Sequence, residues 1–535
     1  MLILGYSPHL FGSSDNPETP KTARELSLVF DWLANAPDKN TDKDLENLRI
    51  HTATLFRAEE APQLQRLKAL DLLYQRRRAI VARLVPTLNV DTLPVPRKVR
   101  NTARKLQGAL QQLAAMYLDM LKEPEAPPEK DLRCSPEVAL YRAVGALEDH
   151  LFISYLISAR PGLGIWKQLH TAYALACKKF VHTGKPVGEE FSIRERYIRA
   201  LLFSCSQPSS FASRELRLVK VFVDCFSVQA WLSDTFPESE NAITGGFWID
   251  PDADGPPFAL ARRPLPLGVS HLLYFSGDGA AAAVSRFLDG PGFNAEGAPA
   301  QDEAAITAAV LAGRGTLLGE AVLRRLMEYW GAPDRHHFHR RYQNYRTSLC
   351  TGLEGVRRLI NSGEASSDEL SEWMVLNESP QGYTMMLVSG KPNRLRIGDV
   401  LALCAEGQSK WQVCAVRWAI SENPEHLEIG VQVLALEAQA GLLAFSRKNQ
   451  EPLSVPALIL SQCLPLRPSE TLLIAAGSME TAEGKITLML GKERLQLRDL
   501  HIAQLLERTA HIELLEIEEK HYGEETLVDL SGDED

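Results

Sequence analysis

Apolar positions in the first half of the chain recur at helical spacing. Between Leu55 and Lys122, the residues Leu64, Leu67, Leu70, Leu72 and Leu73, then Ile80, Val81 and Leu84, fall largely three and four apart, which predicts amphipathic helix. Pro86, Pro94 and Pro96 interrupt that pattern, since proline lacks the backbone donor a helix interior needs. Helix resumes over Thr102–Leu121, and the proline- and glutamate-rich EPEAPPEK reads as a linker. A further helical block runs from Ser135 to Leu232, punctuated at Pro161 and Gly162, with Trp166, Leu169, Ala172, Tyr173 and Cys177 on one face. Residues 1 to about 50 are polar and contain proline, with one apolar patch at Leu26 to Leu33, and are expected to be a lead-in that packs on another part of the molecule.

The pattern changes near Gly245. FWIDPDADGPPFALARRPLP is rich in turn residues, and HLLYFSGDG reads as a short strand followed by a tight turn. A helical segment is expected from Glu303 to Trp330, with Arg314, Arg324 and Arg325 on solvated faces. From Arg346 onward, short alternating runs follow one another: RTSLCTGLEGVRRLI, EWMVLNES, YTMMLVSG, LRIGDVLALCAE, KWQVCAVRWAI and LEIGVQVLALE. Six such runs, closely spaced and separated by good turns, suit a small antiparallel barrel. A second β module is expected over 452–516, and GEETLVDLSGDED is an acidic tail.

The fold class is therefore α+β and multidomain, with a helical N-terminal half, a mixed middle region and C-terminal antiparallel β-barrels. The boundaries read from the sequence are 1–235, 236–334, 335–440 and 441–535. A short turn between amphipathic helices, with a tryptophan early in the second, faintly resembles a tetratricopeptide-like helix pair. No clean 34-residue period accompanies it, so a helical bundle and a repeat array both stay open for 1–235.

Length and composition agree with this division. A chain of 535 residues exceeds what one core supports, and 45% hydrophobic with 24% charged residues is the balance of a folded protein. The formal net charge of -10 argues against a general nucleic-acid binder, which needs a broad basic surface. Any anion site must then be local. Cys134, Cys177, Cys205, Cys225, Cys350, Cys404, Cys414 and Cys463 are scattered without zinc-site spacing, and reduced, buried thiols are expected. Neither a secretory leader nor an eighteen-residue apolar span is visible, so a cytoplasmic protein is expected.

Candidate chemistry is sparse outside one region. The acidic loop Asp250–Gly255 lacks the glutamate a calcium loop places six residues after its glycine, because position 261 is alanine. Ser276–Ala282 precedes a helix but has no phosphate-loop lysine. His336, His337 and His339 lack the Cys or acidic companions of a metal site, and no metal is assigned. No nucleophile elbow, HExxH or Walker lysine occurs, and an enzyme is not expected.

Two stretches suit an anion. RHHFHRRYQNYR places Arg335, Arg340, Arg341 and Arg346 within twelve residues, and WMVLNESPQG ends a strand on Asn377, Ser379 and Gly382. An arginine-rich lead, then N-x-S-x-x-G at a strand end, then Val416, Arg417 and Trp418 and the closing strand Ile429 to Leu434, resembles a PilZ domain over about a hundred residues. Arg417 and Trp418 are read as an edge charge and a barrel-core aromatic.

That resemblance implies a cyclic di-GMP receptor in a bacterial signalling pathway, with Arg335, Arg340, Arg341, Arg346, Asn377, Ser379 and Gly382 as ligand residues. Arginine suits such a ligand because its planar fork bonds phosphate or guanine bidentately and stacks on a base. The helical N-terminal half would meet a protein partner. A scaffold or adaptor with a degenerate barrel that binds no nucleotide is the alternative. One departure sets a question of register. The family's R-x-x-x-R lead spaces its arginines by four, whereas Arg335 to Arg340 and Arg341 to Arg346 are each five apart. An extra residue either bulges out of an extended segment or reverses side-chain direction on a strand.

Overall fold

The computed structural model describes residues 21–58, 62–121, 135–237, 246–266, 268–269, 271–289, 316–331, 340–363, 370–390, 395–408, 410–423, 425–447, 450–464, 467–479, 482–491, 494–519 and 528–529. Eight helices fill the first part: α1 (Lys21–Ala34), α2 (Thr41–Arg57), α3 (Gln63–Leu84), α4 (Arg97–Asp119), α5 (Pro136–Leu156), α6 (Ile165–Lys178), α7 (Ile193–Cys205) and α8 (Ser213–Phe226). From residue 21, where the described part begins, the expected lead-in is thus largely helical. Leu26 and Val29 of α1 and Leu45, Leu48 and Leu55 of α2 are buried, and the Asn40 side chain caps α2 by accepting from Asp42 and Lys43 amides. α7 starts on a capping box formed by Ser192 and Glu195.

Inside the helical core, Glu148 of α5 is almost fully covered, within 3.3 Å of Arg199 and 3.4 Å of Lys220. Burial alone would raise its pKa, but these cations prevail and hold it at about 2. The acidic loop at 250–255 serves the same core. Asp254 accepts from the Gly164 and Lys167 amides at 2.6 and 3.1 Å, so it caps α6. The Lys167 ammonium meets Asp252 Oδ1 at 3.0 Å, and this is an ordinary turn closed by an amine.

Strands β1 (Trp231–Ser233), β2 (Phe247–Ile249), β3 (Phe258–Ala259) and β4 (Leu273–Ser276) form a sheet in the order β1-β4-β2-β3. α9 (Asp278–Asp289) and α10 (Leu317–Gly331) follow. Arg324 is exposed as expected, and Arg314 lies outside the described residues. Arg325 departs from expectation: its guanidinium packs 3.9 Å over the Phe211 ring, donates to the Ser210 carbonyl at 2.6 Å and lies 3.4 Å from Glu215. It ties α10 to α8.

Next come β5 (Arg341–Thr351), α11 (Leu353–Ser362), β6 (Leu370–Ser379), β7 (Gly382–Ser389), β8 (Val400–Ala405), β9 (Gln412–Asn423) and β10 (His426–Ala435). The six strands close into an antiparallel barrel in the order β10-β7-β6-β5-β8-β9. The sequence reading ran Leu353–Ile360 into a strand, but it is a helix lying between Gly352 and Gly363, both at positive φ. Its Val356 and Leu359 are buried against residues of both barrels, including Val400, Ala402, Leu458 and Leu473.

The second β module is a barrel as well. β11 (Ala438–Arg447), β12 (Gln450–Leu460), β13 (Thr471–Ala475), β14 (Ala482–Leu490), β15 (Arg494–Arg508) and β16 (Ile512–Glu519) pair in the cycle β11-β12-β13-β16-β15-β14-β11, and β17 (Val528–Asp529) adds to β15. Seven of the eight cysteines are described, and all seven are free thiols.

The helical part docks firmly on the first barrel. Arg100 of α4, 2% exposed, donates to Ser421 Oγ of β9 at 2.8 Å and to the Ser421 carbonyl. The Ser421 amide in turn donates to the Ser158 carbonyl at 2.7 Å, and Leu93 pairs with Leu395. No described helix is long and apolar enough to cross a membrane.

Candidate functional site

The two anion-suited stretches meet at one end of the first barrel, and strand register decides which side chains share a face. β5 places Arg341 opposite Glu378, Tyr342 opposite Asn377, Tyr345 opposite Val375 and Arg346 opposite Met374. β6 places Asn377 opposite Thr384 and Val375 opposite Met385. Thr384 and Met385 are neighbours on β7, so they point to opposite faces. Directly opposed residues share a face, hence Asn377 and Val375 also point opposite ways although they are two apart. Leu376 between them is the extra residue of a bulge in β6. On β5, Gln343 and Asn344 stand against Leu376 alone, so the ladder is irregular there, while Tyr342 and Tyr345, three apart, still point opposite ways.

Trp373, Val375 and Met385, all 0% exposed, mark the barrel interior. The outer face accordingly carries Arg340, Tyr342, Arg346, Asn377, Ser379 and Thr384. Arg341 falls on the opposite side with Glu378, at the open end of the barrel. The five-residue spacing of Arg341 and Arg346 reverses side-chain direction, and the two arginines do not form a pair.

Arg340 joins the stretches directly. Its Nη1 donates to Asn377 Oδ1 at 3.1 Å and to Thr384 Oγ1 at 2.8 Å. One N–H edge is thereby engaged, and the rest of an exposed guanidinium faces outward. Ser379 Oγ donates to the Gly382 carbonyl at 3.4 Å, closing the turn between β6 and β7. The Gln381 carbonyl accepts from the Val433 amide at 2.9 Å, which fixes the turn to β10. Only glycine fits at 382, because a Cβ there would lie 1.9 Å from the Val431 carbonyl oxygen.

Arg346 is elsewhere on the same face. It lies six residues from Arg340 along the strand, about 20 Å at the usual rise, and its Nη1 donates to Glu372 Oε1 at 2.7 Å. That bond, with a second from Ser389, holds the Glu372 carboxyl below its ordinary range. Arg341 is exposed and makes no hydrogen bond or ion pair with any described residue. Arg335, with His336, His337 and His339, lies outside the described residues. Among the described residues, no group of three or more His, Cys, Asp or Glu is placed to hold a metal.

Sequence reasoning passed over three neighbours. Thr384 receives Arg340, and its place on β7 two residues after Gly382 was the available signal. Glu378, inside the N-x-S motif itself, accepts from Gln343 Nε2 at 2.8 Å and from the Tyr345 hydroxyl at 2.7 Å. Burial raises the Tyr345 pKa, so it stays a donor to that carboxylate. Tyr342, 93% exposed beside Arg341, offers an open aromatic face.

Arg417 is not an edge charge. Its Nε donates to Gln432 Oε1 at 2.6 Å, and its Nη2 meets Glu507 Oε2 of the second barrel at 2.8 Å. Burial alone would raise the Glu507 pKa, but the Arg417 guanidinium holds it below the ordinary range. Gln432 sits opposite Gly382 in the β7–β10 ladder. The β6–β7 turn is thus connected through β10 to the second barrel.

Comparison with known proteins places these elements in a family context. Residues 27–238 match the family model described as "Cyclic-di-GMP receptor FimW, N-terminal domain". Residues 358–440 match the model described as "Cyclic-di-GMP receptor FimW, middle PilZ domain". That second match includes Asn377, Ser379 and Gly382 and begins after the arginine run. Among curated proteins, the chain is 22% identical over 537 aligned positions to the "Cyclic-di-GMP receptor FimW" of Pseudomonas aeruginosa, with 83% of each chain covered.

Proposed function

We propose, from the premise that the chain carries a PilZ domain, that it is a cyclic di-GMP receptor rather than an enzyme, acting in a bacterial cytoplasm. The dinucleotide is bound on the outer face of the first barrel. Arg340, Asn377, Ser379 and Gly382 form the floor, Arg341 lies at the rim, and Arg346 stands farther along β5; Arg335, outside the described residues, is a further proposed ligand residue. The observation that carries this reading is the 3.1 Å contact of Arg340 with Asn377, which brings the arginine lead onto the N-x-S-x-x-G turn. A guanidinium with free N–H groups above a glycine turn suits a phosphate or a guanine edge. Three or four charge-assisted bonds, each about 1.5–3 kcal/mol, support micromolar affinity after association costs.

Ligand would reorient the first barrel relative to the helical half, which meets a protein partner. Titration calorimetry with cyclic di-GMP on the whole chain tests the reading. Absence of both heat and thermal shift at high micromolar ligand refutes it.

One observation favours a scaffold whose barrel binds no nucleotide: Arg346 is already engaged by Glu372, and Glu378 adds a second carboxylate near the site. On that alternative, charge reversal at Arg340, Arg341 and Arg346 leaves partner capture intact, and changes on the helical surface abolish it.

A further inference from the structure

Four segments of the chain converge at a seam away from the outer face of the first barrel. Ser213 Oγ donates to the Val90 carbonyl at 2.8 Å, which sets Arg214 of α8 beside Asp91. Leu93 pairs with Leu395, its amide 2.9 Å from the Leu395 carbonyl, which sets the 91–93 segment beside Arg396. Thr509 Oγ1 donates to the Gly398 carbonyl at 2.5 Å, and the Ala510 amide donates to Glu215 Oε1 at 3.2 Å. These last two contacts set His511, on the β15–β16 turn, next to both the Arg396 segment and α8. The four contacts close a ring around one spot.

Two arginines meet two carboxylates here, Asp91 beside Arg214 and the nearly buried Asp399, whose pKa is raised foremost by burial and lowered in lesser degree by Arg396. Arg214 and Asp91 are exposed at the mouth, and Arg396 and His511 are half-buried behind them. Arg396 Nε and His511 Nε2 are each shut off from solvent without a hydrogen-bond partner. Neither Arg214 nor Arg396 makes an ion pair with any described residue. A covered guanidinium nitrogen and imidazole nitrogen left open at the same place are costly unless an acceptor arrives from solution. Burial foremost, and then Arg396, lower the His511 pKa to about 4, with Arg214 acting in the same sense and Asp91 against it. The imidazole is therefore neutral at physiological pH and supplies one N–H, while the two arginines supply charge.

We propose that this seam is an anion-binding site, built by Arg214, Arg396 and His511, that takes a phosphoryl group. A tetrahedral dianion offers enough acceptor oxygens for two guanidiniums and an imidazole at once, and arginine matches that geometry. Because the ring draws on the helical part, the first barrel and the second, an occupied site fastens all three together.

The test is calorimetry and thermal shift on the whole chain with inorganic phosphate, against chloride at equal ionic strength. Saturable binding with a rise in Tm is expected. Arg396→Gln and Arg214→Gln should each weaken it at least tenfold while their phosphate-free Tm stays near that of wild type, since neither guanidinium makes an ion pair with a described residue. No saturable binding, or binding that survives Arg396→Gln, overturns the proposal. So does binding lost in Arg340→Gln and kept in Arg396→Gln, because that places phosphate on the barrel's outer face. A parallel arm with GMP separates the sources: tighter binding than phosphate assigns a nucleotide phosphate, and equal binding assigns the free ion.

Discussion

If register sorts the arginines as described, their contributions to cyclic di-GMP affinity must be unequal in a stated order. Arg340→Ala removes the guanidinium that stands on Asn377 and Thr384 at 3.1 and 2.8 Å. One charge-assisted contact is worth about 1.5–3 kcal/mol, so Kd should rise about tenfold to about 150-fold. Arg346→Ala removes a side chain that already bonds the exposed Glu372 about 20 Å along the strand. Its ligand contact must first give up that bond, and less than about a threefold change is expected. Arg341→Ala should fall between, because the residue is free but rooted on the other side of β5. Arg340→Lys keeps the charge and loses the fork, and should recover little. The assay is calorimetry at fixed salt, with every variant checked for unchanged Tm. An Arg346→Ala penalty equal to that of Arg340→Ala refutes the face assignment, and so does an Arg340→Ala protein within threefold of wild type.

Other outcomes follow from the same geometry. Gly382→Ala drives a Cβ to within 1.9 Å of the Val431 carbonyl and should cost about 1–3 kcal/mol, seen as faster hydrogen exchange in β7 and β10; unchanged exchange refutes the close approach. Glu507→Gln leaves Arg417 half-buried without its partner and should destabilise by about 1–3 kcal/mol, while Arg417→Met with Glu507→Leu recovers most of the loss; simple additivity refutes the pairing. His150 is buried with its pKa lowered to about 4 by burial, against an ordinary 6.5. The unfolded chain therefore binds the extra proton between those values, so stability is full above pH 6.5 and falls by about 3 kcal/mol as pH drops towards 4. A His150→Gln protein whose Tm falls as steeply over that window as wild type refutes this assignment.

Much of the architecture was legible in the sequence because it depends on local period. Alternating runs from Thr347 to Leu434 gave barrel strands, and the three-and-four spacing from Leu67 to Leu84 gave helix. The two early helices are hard to see in the sequence because polar faces and prolines dominate the composition of that stretch. Yet Leu26, Val29, Phe30 and Leu33 hold helical spacing, and Asn40 is a cap. α11 lies inside a run that reads as strand, although Val356, Leu359 and Ile360 repeat at three and four between two glycines.

The site was half legible. Its residue types were visible, and so was the question of register. The answer depends on Leu376, which bulges only because of how β7 pairs with β6, a relation between strands that neither strand's sequence contains. The Arg417–Glu507 pair joins positions 90 residues apart and leaves no local trace.

The helix α11 also governs how the protein can be divided. Val356 and Leu359 are buried among side chains of both barrels, so a fragment ending near residue 440 would strip Leu458, Leu460 and Leu473 from that cluster and expose its remaining half to water. Such a fragment would retain every proposed dinucleotide contact and yet be prone to self-association. Because the helical part shares a buried cluster with the first barrel as well, titrations are best made on the whole chain.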